Sequence, residues 1–147
     1  MHLLVLNGPN LNRLGTRETD IYGLRSLEDL ALGLRNAFPE VEIEFAQHNS
    51  EGALIDALHN ADALMTQGVV FNPGAYGHTS IALRDAIAAM ETPVVEVHIS
   101  NVYAREGFRQ TMLLSPVCAG VITGFGMGGY HLAVQYLKDH TGSKPRG

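Results

Sequence analysis

Five short apolar runs alternate with segments of helical period along this chain, and that alternation fixes most of what it can become. Residues 3–6 (Leu-Leu-Val-Leu) read as a buried strand, and residues 41–46 alternate in the manner of a strand nearer a sheet edge. Further strands are expected at 68–71, 93–99 and 119–123. Between them, Ser26-Leu27-Glu28-Asp29 opens a helix whose face is Leu27, Leu30, Leu34 and Phe38, with Pro39 as its stop. Ser50 caps a second helix carrying Leu54, Ile55, Leu58 and Ala61. Two more are expected over about 78–90 and 130–138. Strands separated by helices call for a parallel sheet with helices on both faces. The expectation is an α/β, flavodoxin-like, five-stranded parallel sheet formed by one domain, residues 1–147, ending in a tail over about 140–147. In open sheets of this kind, ligands bind beyond the carboxyl ends of the strands.

Bulk properties exclude several partners. The net charge is −5 and no basic run is present, so nucleic acid is not an expected partner. No apolar stretch approaches the roughly 20 residues of a membrane span, and the first six residues, Met-His-Leu-Leu-Val-Leu, lack the charged start of a secretion signal. Cys118 is the single cysteine, which leaves no internal disulfide and no multi-cysteine metal site. A cytoplasmic domain is the expectation.

Two connections are too long to be simple links. Strand-to-helix loops usually take about 2–6 residues, whereas residues 7–25 carry Arg13, Arg17, Arg25 and Tyr22 between Gly15 and Gly23 or close to them, and read as a lid. Residues 100–116 carry Arg105 and Arg109, which share a face if that stretch is helical. Arginine-bearing loops over one crevice suit an anionic, hydroxyl-bearing ligand. His98 closes the fourth strand with Glu96 two residues earlier, so both point to one face and the carboxylate can orient the imidazole. His78 and Asp85, seven apart on the expected third helix, also share a face, although Asp85 beside Arg84 equally suits a surface ion pair. The two lysines, Lys138 and Lys144, lie near the C-terminus, which disfavours Schiff-base chemistry. The 124–129 segment satisfies G-x-G-x-x-G, but no strand with an acidic residue follows, so it reads as a tight turn rather than a dinucleotide site.

With those residues set out, the chain resembles the type II 3-dehydroquinate dehydratases from residue 3 to about 136. The matching blocks are Asn7-Gly8-Pro9-Asn10-Leu11-Asn12, Leu14-Gly15-Thr16-Arg17-Glu18 with Tyr22-Gly23, Asn72-Pro73-Gly74-Ala75-Tyr76, His78-Thr79-Ser80 through Arg84-Asp85-Ala86, Glu96-Val97-His98-Ile99-Ser100-Asn101, and Ala104-Arg105-Glu106 with Phe108-Arg109. The resemblance implies a flavodoxin-like fold and reversible dehydration of 3-dehydroquinate to 3-dehydroshikimate, in aromatic biosynthesis or quinate breakdown, with no cofactor and no metal. It implies that Tyr22 is the base, kept ionised by Arg17. Asn10 helps stabilise the enolate, and His98, oriented by Glu96, is the acid for the departing hydroxyl. Asn72, His78 and Arg109 hold ring hydroxyls, and the backbone amides of Ile99 and Ser100 hold the carboxylate. Asp85 is implied to reach a neighbouring subunit's site, in trimers grouped into a dodecamer.

The base carries a physical demand. A free tyrosine is only about one part in a thousand ionised at pH 7, and bringing it toward neutrality takes on the order of 3–4 kcal/mol. One exposed guanidinium gives less, so the 7–25 lid is expected to close and exclude water over Arg17 and Tyr22. Thr19, Tyr103 and Gln110-Thr111-Met112 depart from the pattern of the family, which bears on the lid and on subunit contacts rather than on the chemistry. Two other readings of the same fold are a non-catalytic ligand-binding or receiver domain and an enzyme for another hydroxylated acid. A receiver domain needs acidic residues after the first strand and a lysine after the last, where this chain has Asn7, Asn10 and no lysine before Lys138.

Overall fold

Two interleaved rows of apolar side chains along the central strands dictate a three-layer molecule. The computed structural model describes residues 1–15 and 26–140, so the C-terminal tail expected at about 140–147 falls outside it except for His140. Among the described residues five strands, β1 (His2–Asn7), β2 (Glu42–Gln47), β3 (Gly68–Asn72), β4 (Val94–His98) and β5 (Gly120–Thr123), form one sheet in the order β2-β1-β3-β4-β5. Every pairing is parallel. This is the expected flavodoxin-like order, with β2 at an edge.

Among the described residues four helices cover the sheet: α1 (Leu27–Ala37), α2 (Glu51–Ala63), α3 (Ile81–Ala89) and α4 (Gly128–Asp139). Successive strand residues face opposite ways. Leu3, Val5, Val70, Val95 and Val97 therefore meet Leu30 and Leu34 of α1 and Ala133, Val134 and Leu137 of α4. Leu4, Leu6, Val69, Phe71 and Val94 meet Leu54 and Leu58 of α2 and Leu83 and Ile87 of α3. Burying one such side chain contributes about 1.5–3 kcal/mol relative to exposure.

Local signals set the helix starts. Ser26 accepts from the Asp29 backbone at 3.1 Å while Asp29 accepts from the Ser26 backbone at 3.2 Å, a reciprocal cap worth about 1 kcal/mol. Ser50 and Ser80 cap α2 and α3 in a one-sided way, each accepting from the backbone three residues on. Ser80 corrects one boundary. The helix expected from residue 78 begins at Ile81, and Gly74–His78 forms a separate 3₁₀ turn. His78 and Asp85 thus sit on different elements and do not share a helical face.

The segment 100–116 does not meet the condition under which its arginines would share a face. It is not one helix but a chain of 3₁₀ turns, Val102–Ala104 and Gly107–Gln110, followed by Ser115–Val117. Arg105 follows the first of these turns as its C-cap and Arg109 lies in the second, so the two share no helical face. In the 124–129 turn, Gly124 has φ +97° and donates its amide to the His98 carbonyl at 3.2 Å. The Gly126 amide donates to the Ile99 carbonyl at 3.0 Å. That turn anchors the end of β4, which is a structural use of its glycines.

Candidate active site

The carboxyl ends of β1, β3 and β4 bring polar side chains together, and strand periodicity decides which face each one takes. On β4, Glu96 and His98 continue the Val94 row toward α3. Glu96 is fully buried, at 0% exposure, and His98 is 5% exposed. The His98 Nε2 lies 2.5 Å from Glu96 Oε2. A carboxylate only accepts, so Nε2 carries the hydrogen and Nδ1 is the ring nitrogen left for a ligand. The expected orientation of His98 by Glu96 is thus present as a short, enclosed contact.

Close packing holds that pair. A Cβ placed on Gly77 would lie 3.2 Å from His98 Cε1, 3.5 Å from Glu96 Oε2 and 2.9 Å from Pro73 Cγ. Only glycine lets the 3₁₀ turn approach so closely. The same turn delivers His78, whose ring centroid stands 5.7 Å from that of His98. His78 Nδ1 donates to the Thr111 carbonyl at 2.9 Å, leaving Nε2 available.

On β1 and β3, Asn7 and Asn72 are register partners and continue the Val5 and Val70 rows toward α4. There the fully buried Tyr130 donates its hydroxyl to Asn7 Oδ1 at 2.5 Å and accepts from Asn72 Nδ2 at 2.9 Å. Burial pushes the Tyr130 hydroxyl well above the ordinary tyrosine range, opposed in part by the Asn72 amide. Asn72 Oδ1 also accepts from the Gly74 amide at 3.1 Å. One Asn72 N–H remains for a ligand.

The other expected residues are placed less centrally. Asn10 has φ +69°, a left-handed conformation that asparagine tolerates, and its amide donates to Asn49 Oδ1 at 3.0 Å. The Ile99 and Ser100 backbone follows His98 directly at the strand end. Arg109 Nε pairs with Glu106 Oε2 at 2.5 Å, and this contact holds the Glu106 carboxyl below its usual range. Asp85 is exposed on α3. Arg84 donates to the Leu113 carbonyl at 2.7 Å rather than pairing with it. Arg17 and Tyr22 lie outside the described residues, as does most of the 7–25 lid expectation.

Among the described residues no three His, Cys, Asp or Glu side chains gather as a metal-binding group, and no helix is long and apolar enough to cross a membrane. Lys138 pairs with Glu40 at the amino edge of the sheet, opposite the strand-end crevice. Sequence reasoning missed Tyr130, Gly77, Thr111 and Ser115. The site residues they touch, Asn7, Asn72, His78, Glu96 and His98, are 19 to 123 positions away, beyond the reach of any local signal.

A family model described as dehydroquinase class II matches residues 1–138. A 3-dehydroquinate dehydratase from an Exiguobacterium strain is 60% identical over 141 residues, covering 95% of this chain and 96% of that protein. One from Pelodictyon phaeoclathratiforme is 54% identical over 146 residues, covering 99% and 97%. The crystal structure of a type II dehydroquinase from Butyrivibrio crossotus superposes with a TM-score of 0.89 at 46% identity, covering 94% of this chain and 97% of that one.

Proposed function

This chain belongs to the class II dehydroquinase family, and from that membership we propose that it dehydrates 3-dehydroquinate with Tyr22 as base and His98 as acid. Its activity is that of a 3-dehydroquinate dehydratase, a hydro-lyase of the shikimate pathway. The finer reading assigns the steps. The Tyr22 phenolate takes the proton from the carbon beside the ketone, and the C–H electron pair becomes an enolate. Asn10 helps to stabilise that enolate. The enolate electrons then re-form the ketone with a new carbon–carbon double bond while the C–O bond breaks. His98 Nδ1 gives its proton to the departing hydroxyl, which leaves as water. Proton exchange with solvent restores both residues.

The observation that carries this reading is the enclosed Glu96–His98 contact at the end of β4, which leaves Nδ1 as the outward nitrogen. A positioned general acid or base contributes about 10²–10⁴ in rate. Around it, the free Nε2 of His78 and the remaining Asn72 N–H offer hydrogen bonds to ring hydroxyls, with Arg109 as a third contact once it turns from Glu106. The Ile99 and Ser100 amides suit the carboxylate. Arg17 keeps Tyr22 ionised when the lid excludes water. Buried Tyr130 is unsuited to the base's role, because its environment favours the neutral phenol. The described lysine stands at the other edge of the sheet, which supports electrostatic rather than imine activation of the ketone.

Exposed Asp85 fits a role in a neighbouring copy's site, in trimers grouped into a dodecamer, with the enzyme acting in the cytoplasm without a cofactor. Sedimentation tests the assembly: a species of twelve chains is expected, and a monomer active at all concentrations contradicts it. For the chemistry, formation of the conjugated enone is followed with and without chelator, expecting equal rates. Tyr22→Phe is expected to abolish turnover while ligand binding stays nearly intact. Loss of binding with chemistry retained points to another base.

A further inference from the structure

Resting on the reading of His98 as the acid, we infer that Ser115 is a positioning residue whose hydroxyl fixes the Glu96 carboxylate and, through it, the aim of His98. Ser115 Oγ donates to Glu96 Oε1 at 2.8 Å, while Glu96 Oε2 is taken by His98. A glutamate's terminal torsion is broad and roughly two-fold. Held at one oxygen only, the carboxylate can pivot and carry the imidazole with it. Held at both, it presents Oε2 in one direction. The Gly77 turn walls the pair on one side, so the Ser115 side is where the carboxylate needs a second hold. Cys118 Sγ stands 4.0 Å from the same Oε1, a longer contact from a weaker donor.

The backbone that carries Ser115 is itself fixed. Leu114 is fully buried against the α2 and α3 layer, and the Leu113 amide donates to the Gly77 carbonyl at 3.0 Å. The Val117 and Cys118 amides close the 3₁₀ turn onto Leu114 and Ser115, and the Ala119 amide enters the sheet at Val94 O, 2.7 Å away. The long connection after β4 therefore returns to the strand it left and completes the support of the acid from behind. Within this reading, the end of that connection is part of the machinery, no less than its arginines.

Ser115 variants of the full chain are compared with His98→Gln, measuring kcat and KM for 3-dehydroquinate and solvent hydrogen exchange at the carbon beside the ketone. Ser115→Ala is expected to lower kcat about tenfold, with KM within about twofold and exchange much less affected. Ser115→Thr, which keeps the donor, is expected within about threefold of the parent, and Ser115→Cys between Thr and Ala. The Thr and Cys pair decides the matter even where the alanine variant folds poorly. An unchanged kcat in Ser115→Ala, a Thr variant as impaired as Cys, or an equal fall in exchange and dehydration overturns the inference. If His98→Gln slows exchange and dehydration alike, the acid assignment falls first, and the two failures are told apart.

Discussion

At the carboxyl edge of the sheet, the face under α3 and the face under α4 bury polar groups of opposite character. Under α4, Asn7, Tyr130 and Asn72 form a neutral network in which the phenol is driven toward its protonated form. Under α3, Glu96 and His98 place an ionisable pair in an equally dry setting, with Ser115 behind and Gly77 in front. Both networks are satisfied: among the described residues, no buried side-chain nitrogen or oxygen lacks a partner. The difference lies in what each can exchange with a ligand. The neutral network ties α4 to the ends of β1 and β3 and has one free N–H to offer. The charged pair keeps a ring nitrogen that can carry a proton outward. Buried hydrogen bonds stabilise in both places, and chemistry belongs to the one that can change its charge.

Breaking the charged side is expected to have the largest effect. His98→Gln keeps a donor near Glu96 but removes a transferable proton, and dehydration is expected to fall by about 10²–10⁴. Hydrogen exchange beside the ketone should persist, as nuclear magnetic resonance in deuterated water would show. Next comes Gly77→Ala, whose Cβ would press on Pro73 and His98. It is expected to destabilise by about 1–3 kcal/mol and to reduce kcat more than KM, measured by thermal melting and steady-state kinetics.

The neutral side should respond in the reverse sense. Tyr130→Phe removes the partner of Asn7 and is expected to lose about 1–3 kcal/mol of stability, with kcat changed far less than in His98→Gln. Its pH signature follows from the raised pKa of Tyr130, which burial causes. The folded state holds the proton while the unfolded chain releases it above about pH 10. Stability is therefore complete below that pH and declines as pH rises beyond it. Denaturant titrations should show that alkaline decline flattened in Tyr130→Phe.

The smallest effect is expected at the exposed Glu40–Lys138 contact, far from both networks. Lys138 holds the Glu40 carboxyl below its usual range. That contribution is present above the unfolded carboxylate range and fades as pH falls through the folded one. Glu40→Gln should slightly flatten the acid limb of a melting profile, an effect that added salt removes from the parent.

Strand periodicity made the charged side readable in advance. Glu96 and His98 are two apart on a strand, so their shared face follows from the pleat alone, and the five apolar runs carried the layered architecture with them. The start of α3 lies three residues later than residue 78 because the deciding signal is the cap at Ser80, whose side chain accepts from the Leu83 amide, and the polar His78-Thr79-Ser80 stretch carries no apolar period that would place it. Arg105 and Arg109 share a face only if their segment is helical, and it forms 3₁₀ turns instead. Short 3₁₀ turns leave no apolar period to read. Ser115 and Tyr130 were invisible for a deeper reason. Each acts on a strand end brought near by the fold, and a serine before a proline or a tyrosine opening a helix has ordinary local explanations.

The two tyrosines of the account, Tyr130 and Tyr22, turn the comparison into one direct measurement. An ultraviolet difference titration of tyrosinate, with a non-reacting substrate analogue at saturation, reports how many phenols ionise and where. One phenolate is expected to form well below the ordinary tyrosine range, lost in Tyr22→Phe and shifted upward in Arg17→Ala, while Tyr130 stays neutral. Absence of any such phenolate in the liganded enzyme, or its persistence in Tyr22→Phe, contradicts the assignment of the base.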